Sequence, residues 1–165
     1  MAARPRRART RHGAACERRP ATEPDPLAAA LRSDGGAWAR DHLEADVVGW
    51  LTTVAPDGRP QTSVISFLHD GPTILFYSQP DTVKLRNIDH SPLVTFHLQS
   101  DPYADHYCII EGTASIDPET PPSDVYAPYQ AKYVEPLDHW QMDEAQTARD
   151  FSVPIRIVPR RVRVT

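Results

Sequence analysis

The residues best suited to bind a ligand lie between Phe76 and Pro92, where an apolar run is followed by a polar turn and a short basic segment. The run Ile74–Tyr77 is typical of a buried strand, and Ser78 to Asp81 favour a turn before a short helix. The start of a helix presents unpaired backbone N–H groups and the positive end of the helix dipole. This junction therefore predicts an anion site.

Three side chains just beyond the turn strengthen that prediction: Lys84, Arg86 and Asn87. A lysine supplies a point charge, an arginine supplies a planar fork of donors, and an amide adds a neutral donor. Together they favour a phosphate or a carboxylate as the ligand. The alternative is a solvated, charged turn of helix, and the residue types by themselves leave both interpretations open.

Composition and charge bound the class of protein. A chain of 165 residues, 40% hydrophobic and 24% charged, suits one globular domain of ordinary size. The net charge is −4, although residues 1–20 carry seven arginines and one acid. We therefore predict a disordered arm over Met1–Pro26, followed by one acidic domain over 27–165. A basic core that binds nucleic acid is not expected, although the arm has a charge suited to acidic partners.

Cysteine use and hydropathy indicate the compartment. The two cysteines, Cys16 and Cys108, form no pair with redox or metal spacing, and no apolar stretch is long enough to cross a membrane. We expect a reduced, cytoplasmic protein without a metal site, with Cys108 as a small core residue. The sequence also lacks a phosphate-binding P-loop, a dinucleotide-binding glycine turn and a nucleophile elbow.

The period of the apolar residues predicts a mainly-β domain. A helix is expected over Leu27–Leu43, interrupted at Gly35 and Gly36, before a hairpin whose turn lies at Pro56–Pro60. Gly112 suggests a bulge or a close backbone approach. A helical insertion is predicted over Asp117–Asp150. The expected strands are Val48–Val54, Gln61–Leu68, Ile74–Ser78, Leu93–Leu98, Tyr107–Ile116 and Val153–Thr165, the last bent at Pro159. Six mostly antiparallel strands with short helices indicate a small β-barrel.

Several motifs occur in the order found in one known family. They are Trp50–Pro60, Phe76–Pro80, Lys84–Ile88, Ser91–Val94, Glu111–Gly112 and Val153–Arg156. From about Val47 onwards the chain resembles the pyridoxamine 5′-phosphate oxidase-like split-barrel proteins, and within them the class of F420-dependent oxidoreductases. The resemblance leaves the N-terminal arm uncovered.

This resemblance implies a homodimer of FMN-binding-type split β-barrels, with a flavin or deazaflavin in a groove between the subunits. It also implies that Lys84 holds the cofactor phosphate with Arg86 and Asn87 nearby, and that Ser78 and Gln79 add neutral hydrogen bonds. The second strand would run beneath the ring, which adds the contacts Thr62, Ser63, Val64 and Ser66. For its three hydroxyl residues, an ordinary polar strand face is the competing interpretation.

One departure from the family pattern guides the choice of cofactor. Pyridoxamine 5′-phosphate oxidases carry an arginine and a lysine on the second strand, whereas Thr62–Leu68 has no positive charge. This argues against vitamin B6 oxidation. The expected reaction is hydride transfer between reduced F420 and a small conjugated acceptor, with the chemistry supplied by the cofactor.

Three alternatives remain open at this stage. The chain could be an FMN-binding flavoprotein, a haem protein with His97 or His106 as ligand, or a protein that sequesters F420 without turnover. No catalytic residue is predicted. The spacing of Tyr126, Tyr129 and Tyr133 places them on one helix face, where packing is favoured over proton donation, and His97 is the other candidate donor.

Overall fold

The computed structural model describes residues 25–165, so the predicted arm over Met1–Pro26 lies almost wholly outside the described residues. Helices α1 (Pro26–Leu31) and α2 (Gly36–Ala45) begin the described chain. The two helices are in close contact at Gly36, the first residue of α2. A Cβ atom on it would lie 2.4 Å from a carbonyl oxygen of α1. The predicted interruption of the first helical stretch is confirmed.

The predicted hairpin is present. Strands β1 (Val48–Val54) and β2 (Pro60–Ser66) pair in antiparallel register. Their turn is closed by a 2.9 Å hydrogen bond from the Ala55 N–H to the Arg59 carbonyl. Gly58 in that turn has a φ of 86°, a conformation in which an L side chain would be strained.

Five more strands complete one antiparallel sheet, in the spatial order β2-β1-β5-β6-β7-β4-β3. They are β3 (Leu68–Asp70), β4 (Thr73–Ser78), β5 (Leu93–His97), β6 (Cys108–Ile116) and β7 (Val153–Val164). The remaining helices are α3 (Val83–His90), α4 (Ala127–His139) and α5 (Glu144–Asp150). The last two fill the segment that the sequence predicts as a helical insertion.

The two edges of this sheet belong to one continuous piece of chain. Strands β2 and β3 lie at opposite ends of the spatial order, yet only Phe67 separates them in sequence. The sheet therefore curls on itself into a barrel. The predicted strand Gln61–Leu68 pairs with β1 before Phe67 and with β4 after it, which is why six expected strands are seen as seven.

Gly112 marks an irregularity in the barrel wall, as predicted. The pairing of β6 with β7 shifts register between Glu111 and Gly112, so that Arg160 has no partner opposite it. A Cβ atom on Gly112 would lie 2.4 Å from the Val158 carbonyl oxygen. A bulge on β7 and a close backbone approach therefore coincide here, and the close approach requires glycine.

One large apolar cluster fills the barrel and includes residues of α1, α2 and α3, with Cys108 fully buried in it. Helix α2 leads into the start of β1, whereas α3 is hydrogen-bonded near the end of β1 through Asn87 and Thr53. The two helices therefore cover opposite ends of the barrel. Burial raises the pKa of Cys108 to about 12, as expected for a core thiol.

The insertion packs against the outside of β3 and β4 through a second, smaller cluster. Leu68, Leu75 and Tyr77 are buried there beneath Tyr126 and Tyr129. Neighbouring rings in this layer are close, at 4.9 Å between Tyr77 and Tyr129. The packing role favoured for the tyrosines of the insertion is confirmed.

Candidate functional site

The predicted anion site lies where β4 ends and α3 begins, a segment from Ser78 to Asn87 that we call the α3 junction. All six residues of β4 are buried, and the strand ends at Ser78, whose hydroxyl lies 3.1 Å from the Thr82 hydroxyl. Asp81 has a φ of 59°, so the chain reverses sharply into the helix. A buried strand thus places the start of α3 at the rim of the barrel.

The first turn of α3 keeps free backbone donors. Thr82 is the N-cap residue, but its side chain makes no capping hydrogen bond, and the first turn contains no acid. The N–H of Arg86 donates to the Thr82 carbonyl at 3.2 Å, whereas the three preceding N–H groups find no acceptor among residues 25–165. These groups and the helix dipole point toward any anion placed at the junction.

Lys84 is the cation at this helix start. It is half-buried, and within the described part of the chain it forms no hydrogen bond or ion pair. Burial lowers the pKa of Lys84, and no neighbouring carboxylate raises it again. The ammonium group is therefore desolvated without a counter-charge, a state that an anionic ligand would relieve.

Arg86 and Gln79 are both exposed at the edge of the junction. The Arg86 guanidinium donates to the Asp81 carbonyl at 2.5 Å, which straps the turn to the helix. Its remaining N–H groups have no partner among the described residues. Ser78 is fully buried, and its hydroxyl lies 3.0 Å from the Gln79 carbonyl.

Asn87 lies inside the structure, with only 2% of its surface exposed. Its amide nitrogen donates to the Thr53 hydroxyl at 2.9 Å and to the Gln61 side-chain oxygen at 2.7 Å. The amide therefore joins α3 to both strands of the hairpin. Sequence reasoning placed Asn87 in the site from its type and spacing, but it gave no signal for these two partners.

The four predicted residues of β2 alternate between its two faces. Thr62 and Val64 are exposed on the outer face, with Ser66 half-buried on the same side, whereas Ser63 points the other way with Gln61. The Thr62 hydroxyl lies 2.9 Å from that of Thr52 on β1. Their side chains cannot all meet one ligand, so a planar ligand spanning β2 would use the backbone.

The backbone of β2 suits that role. Between Pro60 and Ser66 the strand pairs with β1 alone, which leaves its other edge unpaired before the chain reaches β3. An unpaired strand edge presents alternating N–H and C=O groups. Such a row matches a flat heterocycle that carries both donors and acceptors on one side.

Within residues 25–165, none of the candidate proton donors bonds a residue of the α3 junction. Burial raises the pKa of Tyr129 and of Tyr133, so both hydroxyls stay protonated across the ordinary pH range. Tyr126 donates to Asp70 at 3.1 Å. His97 lies on the outer face of β5, with its ring 6.4 Å from that of Trp50 and Nδ1 3.1 Å from the Leu98 carbonyl.

A second polar centre, the Arg156 cluster, joins β7 to the insertion. The guanidinium donates to Asp70, Asp117, Thr73 and Thr120 at 2.6, 2.9, 2.7 and 2.9 Å. Burial works to raise the pKa of Asp117, but hydrogen bonds from Arg156 and Thr120 hold it below its ordinary value. A cavity of about 570 Å³ opens beside this cluster. The guanidinium finds two carboxylate partners and two hydroxyl acceptors within the chain, which marks the cluster as structural.

A family model supports the identification of this fold. The model of the pyridoxamine 5′-phosphate oxidase family matches residues 37–165. No curated protein sequence matches the chain significantly. Within residues 25–165, no helix is long and apolar enough to cross a membrane.

Solved structures give the same result. A provisionally assigned pyridoxamine 5′-phosphate oxidase from Listeria innocua is 25% identical over 78% of this chain and 95% of its own, with a TM-score of 0.59. An F420 reductase is 27% identical over 75% and 94% of the two chains, with a TM-score of 0.57. A haem storage protein from Vibrio cholerae shares the fold at 17% identity, covering 80% and 95%, with a TM-score of 0.60.

The chain therefore belongs to the pyridoxamine 5′-phosphate oxidase family and has its split-barrel fold. Its structural relatives include proteins described as a pyridoxamine 5′-phosphate oxidase, as an F420 reductase and as a haem storage protein.

Proposed function

We propose that this protein is an F420-dependent oxidoreductase that transfers a hydride between the reduced deazaflavin and a small conjugated acceptor. The observation that carries the proposal is Lys84, a half-buried cation without a counter-charge beside the free N–H groups of α3. Such a site fits a phosphate, and F420, FMN and related cofactors each carry one next to a planar ring.

The residues present divide the binding between phosphate and ring. Lys84 and the first turn of α3 would hold the phosphate, with Arg86 free to reach a second negative group of the polyanionic F420 tail. The unpaired edge of β2 would hydrogen-bond the polar edge of the ring. When bound, the deazaflavin supplies the hydride chemistry, and the chain orients the ring and limits its contact with water.

The absence of positive charge on β2 favours F420 over FMN. Thr62, Ser63, Val64 and Ser66 offer backbone and hydroxyl contacts only. The 27% identity to an F420 reductase over most of both chains supports the same choice.

We further propose that the outer face of β1, β2 and β5 is buried against a second copy of the chain. Val48, Trp50 and Val64 are 39%, 37% and 51% exposed, and Trp50 lies opposite Val64 in the strand register. Leu93, 59% exposed, continues the face on β5. Nearby, Glu111 ion-pairs with Arg163 at 2.8 Å, so the surface carries both signs of charge, which is compatible with a self-complementary interface.

The oligomer can be tested with two matched valines. Val64→Lys places a charge in the proposed interface, whereas Val134→Lys does so on α4, where Val134 is 67% exposed. We expect a dimer by light scattering for the parent and the Val134 variant, and a monomer for the Val64 variant. A monomeric parent protein would contradict the interface.

Cofactor binding is the first test of the function. Equilibrium binding of F420 and of FMN is measured at low and moderate salt, with Lys84→Met as the test variant. Lys132→Met is the matched control, because Lys132 is also half-buried but bonds the Leu43 carbonyl at 3.1 Å, away from the α3 junction. We expect F420 binding that weakens with salt, and a loss of about tenfold or more in the Lys84 variant alone.

The outcomes separate the alternatives. Preference for FMN moves the protein to the flavin branch of the family, and a Soret band on purification indicates haem. Tight F420 binding without turnover in a screen of enones and quinones indicates sequestration. Equal affinity of the Lys84 variant and the parent protein contradicts the phosphate site.

A further inference from the structure

The buried amide of Asn87 determines which end of the Gln61 side chain faces outward. An amide nitrogen carries two hydrogens. Those of Asn87 are used on the Thr53 hydroxyl and on the Gln61 side-chain oxygen, at 2.9 and 2.7 Å. Because the Gln61 oxygen accepts this bond, the opposite end of its carboxamide is the NH2 group. No acceptor for that group exists among residues 25–165.

The position of Gln61 brings this NH2 group to the anion site. Gln61 is half-exposed on β2 and lies opposite Thr53 in the hairpin. Asn87 follows Lys84 by three positions on α3, so the two side chains share one face of the helix. The outward NH2 of Gln61 and the ammonium of Lys84 therefore lie on the same side of α3, where it meets β2.

We infer that Gln61 is a further phosphate-binding residue of this site, and that Asn87 is the positioning residue that keeps its NH2 end outward. The inference rests on the proposed function, because it concerns the phosphate of the same cofactor. It changes the part expected of Asn87: the buried amide has no hydrogen left for a ligand and acts through its neighbour. With the carboxamide reversed, Gln61 would present a carbonyl oxygen and repel a phosphate.

Asn87→Asp tests the orientation directly. A carboxylate cannot donate to the Gln61 oxygen, so the carboxamide turns its NH2 group inward to donate to Asp and presents its oxygen to the ligand. The variant therefore converts an outward donor into an outward acceptor without touching Gln61. Gln61→Glu makes the corresponding change at Gln61 itself and keeps an oxygen that can accept the Asn87 hydrogen bond.

The readout is the contribution of the phosphate to affinity. Binding is measured for ligand pairs with the same ring and ribityl chain: FMN against riboflavin, which differ by the phosphate alone, and F420 against its ribityl deazaflavin precursor, which lacks the phosphate and the rest of the tail. The proteins are the parent, Gln61→Ala, Gln61→Glu, Asn87→Asp and the double variant Gln61→Ala with Asn87→Asp. Gln99→Glu is the control, because Gln99 is exposed beyond β5 and outside the site.

We expect the phosphate preference to fall about tenfold in Gln61→Ala and further in Gln61→Glu, and to stay unchanged in Gln99→Glu. The phosphate preference should fall at least as far in Asn87→Asp as in Gln61→Ala. Replacing Gln61 by Ala in the Asn87→Asp protein should lower the preference no further. Full preference in Gln61→Ala, or additive losses in the double variant, would overturn the inference. A parent protein without phosphate preference would instead overturn the proposed function.

Discussion

Two partly buried cations on this barrel, Arg156 and Lys84, differ in their polar partners. Arg156 is 18% exposed at its side chain and donates to four oxygen-bearing partners, two of them carboxylates. Lys84 is half-buried and has no polar partner among residues 25–165. Removing a charge from water costs free energy unless another group compensates. The chain compensates Arg156 internally, whereas Lys84 is left to solvent and to the anionic ligand that we propose for it.

Other polar groups in the insertion and at the α3 junction differ in the same way, as the Tyr133 hydroxyl and the first N–H groups of α3 show. Around the insertion, the hydroxyl of Tyr133 accepts from the Phe67 N–H at 2.6 Å and lies 2.7 Å from the Val47 carbonyl. At the α3 junction, three backbone N–H groups lack acceptors in the described part of the chain. The paired hydroxyl of Tyr133 maintains the fold, whereas the unpaired donors of α3 are available to bind.

The largest expected effect is on the Arg156 side. Arg156→Met leaves Asp70 and Asp117 partly buried without their shared cation, and should lower the free energy of unfolding by about 3 kcal/mol. Urea denaturation measures this. Arg161→Met is the control, because Arg161 is 69% exposed and 4.0 Å from Glu111. A change of about 0.5 kcal/mol or less in both variants would contradict a structural role for the cluster.

Tyr133→Phe should have the next largest effect. The change removes the acceptor of the Phe67 N–H in a buried position, and should cost about 2 kcal/mol in unfolding free energy. Tyr126→Phe, which loses one partly exposed bond to Asp70, should cost less. Equal losses in the two variants would show that burial of the hydroxyl does not decide the cost.

Lys84→Met should have the opposite outcome. Because the buried ammonium has no partner, its replacement by an uncharged chain of similar length should leave the unfolding free energy within about 0.5 kcal/mol of the parent or raise it slightly. The same variant should lose its preference for phosphate-bearing cofactors. Destabilisation as large as that of Arg156→Met would mean that Lys84 is structural, and would contradict the difference drawn here between the two cations.

A dependence of stability on pH is expected from Lys132, whose partners are a carbonyl and the ring of Phe67. Burial lowers the pKa of Lys132 to about 8, below that of an unfolded lysine. Between these two values the unfolded chain binds more protons, so Lys132 makes stability rise with pH.

Unfolding free energies at about pH 7.5 and about pH 9.5, for the parent and for Lys132→Met, isolate this contribution. The buried Cys108 thiol works in the opposite direction but is common to both proteins and cancels in the difference. We expect the parent to gain more stability over this interval than the variant. An equal or smaller gain would show that Lys132 carries no such penalty.

The sequence predicts the architecture well where local patterns determine it. The hairpin, the turn at Ser78 to Asp81, the basic start of α3 and the irregularity at Gly112 follow from residue type and spacing. The division of one strand at Phe67 could not be predicted, because it depends on barrel closure rather than on local preference. The link from Asn87 to Gln61 was equally hidden, since 26 residues separate the two amides.

The position of β7 also determines when this barrel can fold during synthesis. Strand β7 lies between β6 and β4 in the sheet but comes last in the chain, at Val153–Val164. Until those residues emerge from the ribosome, the nascent sheet consists of two parts, β2-β1-β5-β6 and β4-β3, with no strand pairing between them. Both parts then expose an unpaired edge flanked by apolar residues, as slow-folding, non-local sheets do. The protein is therefore expected to remain prone to aggregation until β7 has been synthesised, and truncation before Val153 should yield an aggregating chain.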